Sequence, residues 1–454
     1  MTIQPDYVKE ELLHELSESF CMHNQLPPDL FTRYRIKRGL RNADGTGVLV
    51  GASHLGNVHG YILNEGEREP IEGRLTYRGY NVYDLIHGLE QENRFGFEEI
   101  GCLLMCGKLP SRRQLAEFQH TIGLERALPD NFTEDMIMRA PSRDIMNKLA
   151  SATLALYSYD ANPDETTVEN IMRQGISLMA KFPVIISHAY QAKRRYFDND
   201  SMFLHVPDPN RSTAENILHL IRPTGEFNDD EAKLLDRCLI LHAEHGGGNN
   251  SSFTVRVTSS SGTDTYSAIA AAVSSLKGPR HGGANLRVVK QFEEMKENIH
   301  NWKDEVEVGN YLRKILNKEA GDGSGLIYGM GHAVYTISDP REVILKQRAR
   351  HLAYEKGFEE EYNMLCSIER LAPGIFAEEK GSTKPVCANV DLFSGLIYNM
   401  LGISEDIYTP LFAIARVPGW CAHRVEEVVF ANRIIRPAYK YLGVRQKYKP
   451  IEER

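Results

Sequence analysis

The chain has 454 residues, of which 42% are hydrophobic and 25% are charged, and its formal net charge is −8 at pH 7. This length accommodates two or three domains, and the composition is that of a folded globular protein. The acidic balance gives no support to binding of nucleic acid or of an anionic membrane surface. No apolar run approaches the roughly 18 residues of a membrane span, and the first residues show no targeting signal. The seven cysteines are scattered, so we expect reduced thiols and a cytoplasmic protein.

The first 80 residues combine one predicted helix with the one convincing strand region. Residues 7–22 form an amphipathic pattern, with apolar side chains from Val8 to Phe20 on one side. From residue 39 to residue 80, glycine-rich turns separate short β-like runs such as Val48-Leu49-Val50 and Tyr61-Ile62-Leu63. Strands are therefore expected only near the N-terminus.

Beyond residue 80 almost every segment has a helical pattern. The predicted helices are 97–106, 111–122, 142–157, 166–191, 212–221, 229–244, 267–276 and 286–296. Asn228 with Glu231 predicts a capping box at the start of one of them. Two stretches, 296–323 and 355–384, are more highly charged than the rest. They suggest a helical subdomain inserted between Asn285 and about Met400.

His281 lies in a glycine-rich turn between two predicted helices. Gly278-Pro279 ends the first helix, and the second begins after Gly282-Gly283. The positive end of the second helix disfavours an imidazolium, so a neutral ring is expected. A neutral imidazole can donate a hydrogen bond to a carbonyl oxygen that is becoming negative. The alternative is a turn histidine without a role.

His242 and His245 end another predicted helix, and three glycines follow them. His245 extends the apolar face that includes Leu241 and emerges at the helix C-terminus. The partial negative charge there favours an imidazolium, which suits an anionic ligand. The alternative is a histidine that only satisfies the C-terminal carbonyls.

Two further segments carry charged or titratable side chains beside helix starts. Gly331-His332 precedes Asp339-Pro340-Arg341, in which Asp339 is the expected N-cap and Arg341 has a guanidinium free to reach a pocket. Asp391 is the expected N-cap of an apolar helix that starts at Leu392. The same helix end would keep its carboxylate ionised, as a general base requires.

Two arginines complete the set. Arg416 lies in an apolar helix, where a buried guanidinium requires an anionic partner, either a ligand or a protein carboxylate. Arg436 follows the last helical stretch and precedes Pro437. Because a guanidinium binds carboxylates in a bidentate way, this inventory of arginines, histidines and one carboxylate fits a small, multiply anionic substrate. It also fits proton abstraction next to a carbonyl.

Taken in order, these motifs resemble those of the citrate synthase family. The resemblance covers roughly residues 70 to 440 and rests on Glu72 to Tyr80, Gly107 to Pro110, His242 to His245, Gly278 to Asn285, Gly331-His332 with Asp339 to Arg341, and Asn389 to Gly395. It implies a mainly α, two-domain homodimer with a short β region near the N-terminus. The implied parts are an N-terminal extension (1–40), a large helical domain (41–285 and 400–454) and a small domain (286–399) that closes over the substrates.

The resemblance also implies an activity, the condensation of acetyl-CoA with oxaloacetate and water to citrate and CoA, which begins the tricarboxylic acid cycle. No metal and no cofactor other than the substrates is implied. Asp391 would remove a proton from the acetyl-CoA methyl group. His281 would donate a hydrogen bond to the thioester oxygen, and His332 would polarise the oxaloacetate ketone and protonate the new alkoxide.

The remaining residues match ligand-binding positions of the family. His245, Arg341 and Arg416 would bind oxaloacetate and citrate, and Arg436 would reach into the site of the partner subunit. The chain departs from the family pattern at Thr336-Ile337-Ser338, where many relatives carry a basic residue that helps to bind CoA. It also has Gly246 where an acidic residue often stands.

Three alternatives stay open. A 2-methylcitrate synthase would use propionyl-CoA with the same residues, and one methylene is a small energetic difference. A metal-dependent hydrolase would use His242, His245, His281 and His332, although the sequence has neither His-Glu-x-x-His nor a Cys-x-x-Cys pair. A non-catalytic binding homologue is opposed by the presence of Asp391 with both candidate catalytic histidines.

Overall fold

The computed structural model describes residues 9–42, 44–65, 67–381, 384–431 and 433–453. The chain divides into two compact units, one made of Met1–Ala52 with Arg436–Arg454 and the other of Ser53–Ile435. The predicted fold class is confirmed, since the chain is mainly helical with one small sheet near its N-terminus. Within the described residues, no helix has the length and apolar character that a membrane crossing needs.

The first unit contains helices α1 (Glu10–His23) and α2 (Asp29–Arg33). The predicted helix at 7–22 is therefore confirmed, although Val8 lies outside the described residues. The apolar side of α1 is exposed in this unit, including Leu16 and Phe20. The predicted strand at Val48-Leu49-Val50 is wrong, because this run is not paired with any strand in the described part of the chain. After Arg436 the chain has no helix until a single turn at Ile451–Glu453.

The sheet belongs to the second unit and has three antiparallel strands. Strand β1 (Gly56–Asn64) pairs with β2 (Glu67–Tyr77), and β3 (Tyr80–Asn81) pairs with the end of β2. Gly73 in β2 approaches another backbone closely, since a Cβ atom there would lie 2.1 Å from the Ser338 carbonyl oxygen. The sheet therefore packs against the segment that follows His332.

Helices make up most of the second unit. The first group is α3 (Val82–Gln91), α4 (Phe97–Cys106), α5 (Arg112–Glu125), α6 (Ile145–Leu156), α7 (Val168–Phe197), α8 (Thr213–Ile221), α9 (Asp229–His242), α10 (Asn250–Ser259) and α11 (Thr265–Lys277). The capping box of Asn228 with Glu231 is present at the start of α9. This helix ends at His242, two residues earlier than predicted.

The second group is α12 (Ala284–Asn298), α13 (Glu305–Leu316), α14 (Pro340–Glu355), α15 (Glu359–Lys380), α16 (Asp391–Met400) and α17 (Tyr408–Phe430). Helix α13 lies within the charged stretch 296–323, for which no helix was predicted. Its charged residues are at its ends, where they suit the helix dipole, and Val308, Leu312 and Ile315 form a buried side.

Helix α17 is the centre of the core. It packs against α4, α7, α9, α10 and α11, and its side chains Val417, Trp420 and Cys421 are fully buried. Helices α12 to α16 pack mainly against one another, while α14 also contacts α9 and β2. The division into a large and a small domain at residues 285 and 400 stays a prediction.

Candidate active site

Two short backbone segments hold His332 and Asp391 next to each other. The Gly331 N–H donates to the Cys387 carbonyl at 2.7 Å, and the Asn389 N–H donates to the Gly329 carbonyl at 2.8 Å. The Asn389 side chain continues this link, because its Nδ2 donates to the Gly331 carbonyl at 2.9 Å and its Oδ1 accepts the Asp391 N–H at 3.0 Å. One amide side chain therefore fixes both the turn before His332 and the start of α16.

Asp391 is the first residue of α16, and Val390 is the N-cap. The prediction that Asp391 caps a helix starting at Leu392 is wrong by one residue, because Asn389 binds the Asp391 N–H. Burial raises the pKa of Asp391 to about 6, with Arg341 lowering it and Asp339 raising it further. The carboxylate is therefore ionised at neutral pH and more basic than an ordinary aspartate, which suits a general base.

The ring of His332 has a defined proton position. Its Nδ1 accepts the N–H groups of Val334 at 3.0 Å and Tyr335 at 3.1 Å, which places the ring proton on Nε2. The ring stacks on Tyr335 at 4.7 Å between centroids and lies 5.2 Å from the ring of His245. The turn before it needs Gly331, whose φ of 90° other residues rarely adopt. His332 is thus arranged to donate a hydrogen bond from Nε2.

His281 lies between α11 and α12, in the predicted turn. Its Nε2 accepts the Ser251 N–H at 3.3 Å, which places the ring proton on Nδ1. The Ser251 hydroxyl in turn accepts the Trp420 indole N–H at 3.1 Å. Burial and the charge of Arg416 lower the pKa of His281 to about 4. The prediction of a neutral ring is confirmed, with burial as the first cause.

His245 lies three residues beyond the end of α9. Its Nε2 is buried and has no hydrogen-bond partner among the described residues. Burial, Arg341, His332 and Arg416 lower its pKa well below the usual value. The prediction of an imidazolium is therefore wrong, because burial and two nearby guanidinium groups outweigh the helix end.

Arg416 is fully buried in α17, as the sequence predicted for an arginine in an apolar helix. Its Nε donates to the His242 carbonyl at 2.6 Å, whereas Nη1 and Nη2 are buried without a partner in the described part of the chain. Burial lowers its pKa to about 10, with Glu244 and Tyr77 acting in the opposite direction. Two unpaired donors on a buried guanidinium favour an anionic ligand.

Arg341 follows the expected cap and first helical residue of α14, Asp339 and Pro340. The prediction of a free guanidinium is wrong, because Nε and Nη2 bind the Asp339 carboxylate at 3.0 and 2.7 Å. This pair leaves Nη1 unused by Asp339. Arg436 is exposed and belongs to the other compact unit, so its predicted role at a partner's site stays a prediction.

Comparison with known proteins decides the family. The family model described as citrate synthase, C-terminal domain, matches residues 45–438. The chain is 34% identical over 385 residues to a citrate synthase of Synechocystis sp., covering 84% of this chain and 89% of that protein. It is 33% identical over 418 residues to that of Acidithiobacillus ferridurans, covering 90% and 97%. The chain belongs to the citrate synthase family.

Solved structures and one further relative agree with this. The citrate synthase of Thermoplasma acidophilum, in a ternary complex with carboxymethyl coenzyme A and oxaloacetate, has a TM-score of 0.75 at 28% identity, covering 92% of this chain and 99% of that chain. That of Thermotoga maritima has a TM-score of 0.71 at 29% identity, covering 92% and 99%. The 2-methylcitrate synthase 2 of Corynebacterium glutamicum is 33% identical over 390 residues, covering 85% and 93%.

Membership of this family of acyltransferase enzymes also weakens the metal-hydrolase alternative, and so does the geometry. Among the described residues, the group whose ligand atoms are close enough to hold a metal is Asp230, His351 and Glu355, and all three are exposed. His242 does not belong to this group, and its Nδ1 donates to the Cys238 carbonyl.

Several supporting residues of this citrate synthase site were not identified from the sequence. Ser251 and Trp420 orient His281, and Asn389 connects the two catalytic segments. Trp420 had a usable signal, since it lies four residues after Arg416 and therefore on the same side of a helix. Ser251 had none, because its role depends on how α10 packs against α17.

Proposed function

We propose that this protein condenses acetyl-CoA with oxaloacetate and water to citrate and CoA, the first reaction of the tricarboxylic acid cycle. The observation that carries the proposal is a set of buried nitrogens that have no partner among the described residues, namely the donors Nη1 and Nη2 of Arg416 together with Nε2 of His245. These donors suit the carboxylates of oxaloacetate. Family membership supports the same activity.

The reaction begins with enolisation of the thioester. Asp391 takes a proton from the methyl group of acetyl-CoA, and the C–H electrons form the enolate double bond. The negative charge that develops on the thioester oxygen accepts the Nδ1–H of His281. A neutral histidine is suited to this role, because it stabilises the charge without a formal proton transfer.

The second step forms the carbon–carbon bond. The enolate carbon attacks the ketone carbon of oxaloacetate, while Nε2–H of His332 polarises the ketone oxygen and then gives it a proton. The proton that Asp391 took from the methyl group replaces it on the His332 ring by way of water, so both residues return to their starting states. Water hydrolyses the resulting thioester, and citrate and CoA leave. Because Nδ1 of His332 accepts two backbone N–H groups, the ring proton that polarises the ketone is the one on Nε2.

Binding of oxaloacetate falls to His245, Arg341 and Arg416 in this proposal, and Arg436 completes the site of a partner subunit in a homodimer. The small domain, 286–399, closes on oxaloacetate before acetyl-CoA binds. The reaction needs no metal ion and no cofactor beyond its substrates, and no nucleic acid or membrane takes part. We place the protein in the cytoplasm because its scattered cysteines suit a reducing compartment.

The test is thiol release by metal-free protein supplied with oxaloacetate and either acetyl-CoA or propionyl-CoA. We expect strong preference for acetyl-CoA. Preference for propionyl-CoA would make the enzyme a 2-methylcitrate synthase, with every residue role unchanged. No release with either thioester from folded protein would refute catalysis and leave a binding protein.

A further inference from the structure

A series of buried polar side chains, linked by hydrogen bonds, leads to Glu244, the residue before His245. We call this series the polar chain, and the roles proposed above use none of its members. It consists of Glu244, His423, Arg256, Glu426 and Glu427. Arg256 donates from Nη1 to Glu427 at 3.0 Å and from Nη2 to Glu426, and its Nε donates to Nδ1 of His423 at 3.1 Å. Both His423 and Glu244 are fully buried.

The direction of the hydrogen bonds in this chain is fixed by Arg256. A guanidinium can only donate, so Nδ1 of His423 accepts and the ring proton is on Nε2. This Nε2 lies 3.0 and 3.1 Å from the two carboxylate oxygens of Glu244. His423 is therefore a neutral donor to a carboxylate, held in one tautomer by an arginine on its other side.

Glu244 connects the polar chain to the candidate active site. It precedes His245, and its Oε1 accepts the N–H of Gly246 at 2.5 Å, so the carboxylate holds the backbone on both sides of His245. Burial alone would raise the pKa of Glu244, but the hydrogen bond from His423, the charge of Arg416 and the Gly246 N–H hold this pKa below its usual value. Glu244 is therefore a negative charge that counters Arg416.

Two glycines make room for this carboxylate in its present position. A Cβ atom at Gly56 would lie 2.7 Å from Cγ of Glu244, and one at Gly419 would lie 2.7 Å from its Oε2. Contacts this short do not occur between real Cβ atoms and their neighbours. Strand β1 and helix α17 thus both accommodate Glu244 through a missing side chain.

We infer that His423 is a positioning residue for oxaloacetate binding and acts through Glu244 on His245 and Arg416. The inference rests on the proposed function, because it takes oxaloacetate as the ligand of these two residues. While His423 donates to Glu244, the carboxylate stays beside the His245 turn and the terminal nitrogens of Arg416 stay available. Without that donor, Glu244 can turn toward Arg416 and compete with the carboxylates of oxaloacetate.

Two amide substitutions separate the two ends of the imidazole. In His423→Gln the amide reaches the position of Nε2 and keeps a donor to Glu244, whereas in His423→Asn it reaches only the position of Nδ1. We expect the oxaloacetate KM, and the oxaloacetate Kd from calorimetry, to rise at least about tenfold in His423→Asn, the effect of one lost hydrogen bond to a charged group. In His423→Gln both should stay within about twofold of the wild-type values. The acetyl-CoA KM at saturating oxaloacetate should change little in either variant.

His188 on α7 provides a control. It is a half-buried histidine whose Nδ1 contacts the Thr133 hydroxyl at 2.9 Å, and it does not belong to the polar chain. His188→Asn should lower the midpoint of thermal unfolding without a selective change in the oxaloacetate KM. This control separates loss of a hydrogen-bonded histidine from loss of the donor to Glu244.

Equal oxaloacetate affinity in His423→Gln and His423→Asn, or an equal rise in the KM of both substrates, would overturn the inference. If His423→Asn does not fold, Glu244→Gln takes its place in the test. We then expect a selective rise in the oxaloacetate KM, and an unchanged oxaloacetate KM would contradict the inference. Wild-type protein that binds oxaloacetate but releases no thiol would refute the proposed function alone. The calorimetric comparison would then still decide the role of His423.

Discussion

Asp391 shows most directly how burial and nearby charges set the chemistry of one residue. Burial raises its pKa to about 6, although Arg341 opposes the shift. Its carboxylate makes no helix-capping hydrogen bond, because Val390 is the N-cap and Asn389 binds the Asp391 N–H. The carboxylate is thus more basic than usual, and it is not used to cap the helix. These are properties of a general base.

Replacement of Asp391 by Asn should abolish turnover and leave binding. We expect kcat to fall at least about a hundredfold, because the amide cannot take the methyl proton. The oxaloacetate Kd, measured by calorimetry, should stay near the wild-type value. Asp304→Asn is a matched control, since Asp304 caps α13 and Asn can cap equally well. A kcat near that of the wild type in Asp391→Asn would remove this residue from the mechanism.

The same substitution should stabilise the fold at neutral pH. Asp391 has a raised pKa in the folded chain, so folding favours its protonated form and the ionised form opposes folding. The penalty is fully present above the folded pKa of about 6 and disappears as the pH falls toward the unfolded value near 4. Thermal unfolding should therefore show Asp391→Asn more stable than the wild type at pH 7, with the gap closing between pH 6 and pH 4. A gap that is constant with pH would contradict the assigned shift.

At the residue scale, the sequence predicts the right protonation state of His281 for a reason other than the one that the structure shows. The prediction rests on its place ahead of a helix, whereas burial and the charge of Arg416 lower its pKa in the structure. The protonation state of His245 could not be predicted, because it depends on side chains that are distant in sequence. The hydrogen-bond partner of Arg341 could not be predicted either, because the guanidinium could bind a ligand or a nearby carboxylate. His245 is surrounded by Arg341 and Arg416, and Arg341 binds the carboxylate of its own helix cap.

At the scale of elements, helix α17 organises the site through one stripe of polar side chains. Arg416, Trp420, His423 and Glu427 follow one another at spacings of four, three and four residues, which places them on one side of the helix. Arg416 faces the substrate cluster, Trp420 supports His281 through Ser251, and His423 supports Glu244. A single buried helix thus fixes three parts of the site relative to one another.

Trp420→Phe should therefore affect the acetyl-CoA half of the reaction. The change removes the N–H that binds the Ser251 hydroxyl and keeps an aromatic ring. We expect kcat to fall by about two- to tenfold, the range for one neutral hydrogen bond, with an unchanged oxaloacetate Kd. Trp302→Phe is the matched control, because its indole N–H binds the Ile299 carbonyl instead. A weaker affinity for oxaloacetate with an unchanged kcat would show that Trp420 does not act through His281.

Elements were predictable wherever turn residues and periodicity agreed. The turn at Gly278-Pro279, the helices on both sides of it and the capping box of α9 are all present. Val48-Leu49-Val50 has the β propensity of a strand, but this propensity is local, whereas a strand also needs a partner to bind its backbone. Helix α13 was not predicted because its charged ends obscured the buried side formed by Val308, Leu312 and Ile315.

At the scale of the whole molecule, the candidate residues come from two sets of helices. His332 and Asp391 belong to the region of α12 to α16, which pack mainly against one another, and His245 and Arg416 belong to the region around α9 and α17. In the proposed mechanism, oxaloacetate contacts His332 in the first set and His245 and Arg416 in the second, so its binding should bring the two sets together and close the small domain. Small-angle scattering should show a smaller radius of gyration with saturating oxaloacetate. An unchanged radius would contradict closure by the first substrate.

In the proposed homodimer, each active site needs residues from both subunits, and mixing two inactive variants tests this. If Arg436 completes the partner's site, Arg436→Ala and Asp391→Asn are each inactive as homodimers. A mixed dimer has one intact site, formed by Asp391 of the first variant and Arg436 of the second. Random reassembly of equal amounts should therefore restore about a quarter of wild-type thiol release, since half of the dimers are mixed and each has one good site of two.

Control mixtures of each variant with itself should stay inactive, which excludes a general effect of reassembly. If Arg436 acts within its own chain, the mixed dimer still gains nothing, because the chain with Asp391 lacks Arg436 and the chain with Arg436 lacks Asp391. The mixing experiment therefore distinguishes a shared site from two independent ones, and a shared site would explain why an exposed arginine beyond the last long helix matches a substrate-binding position.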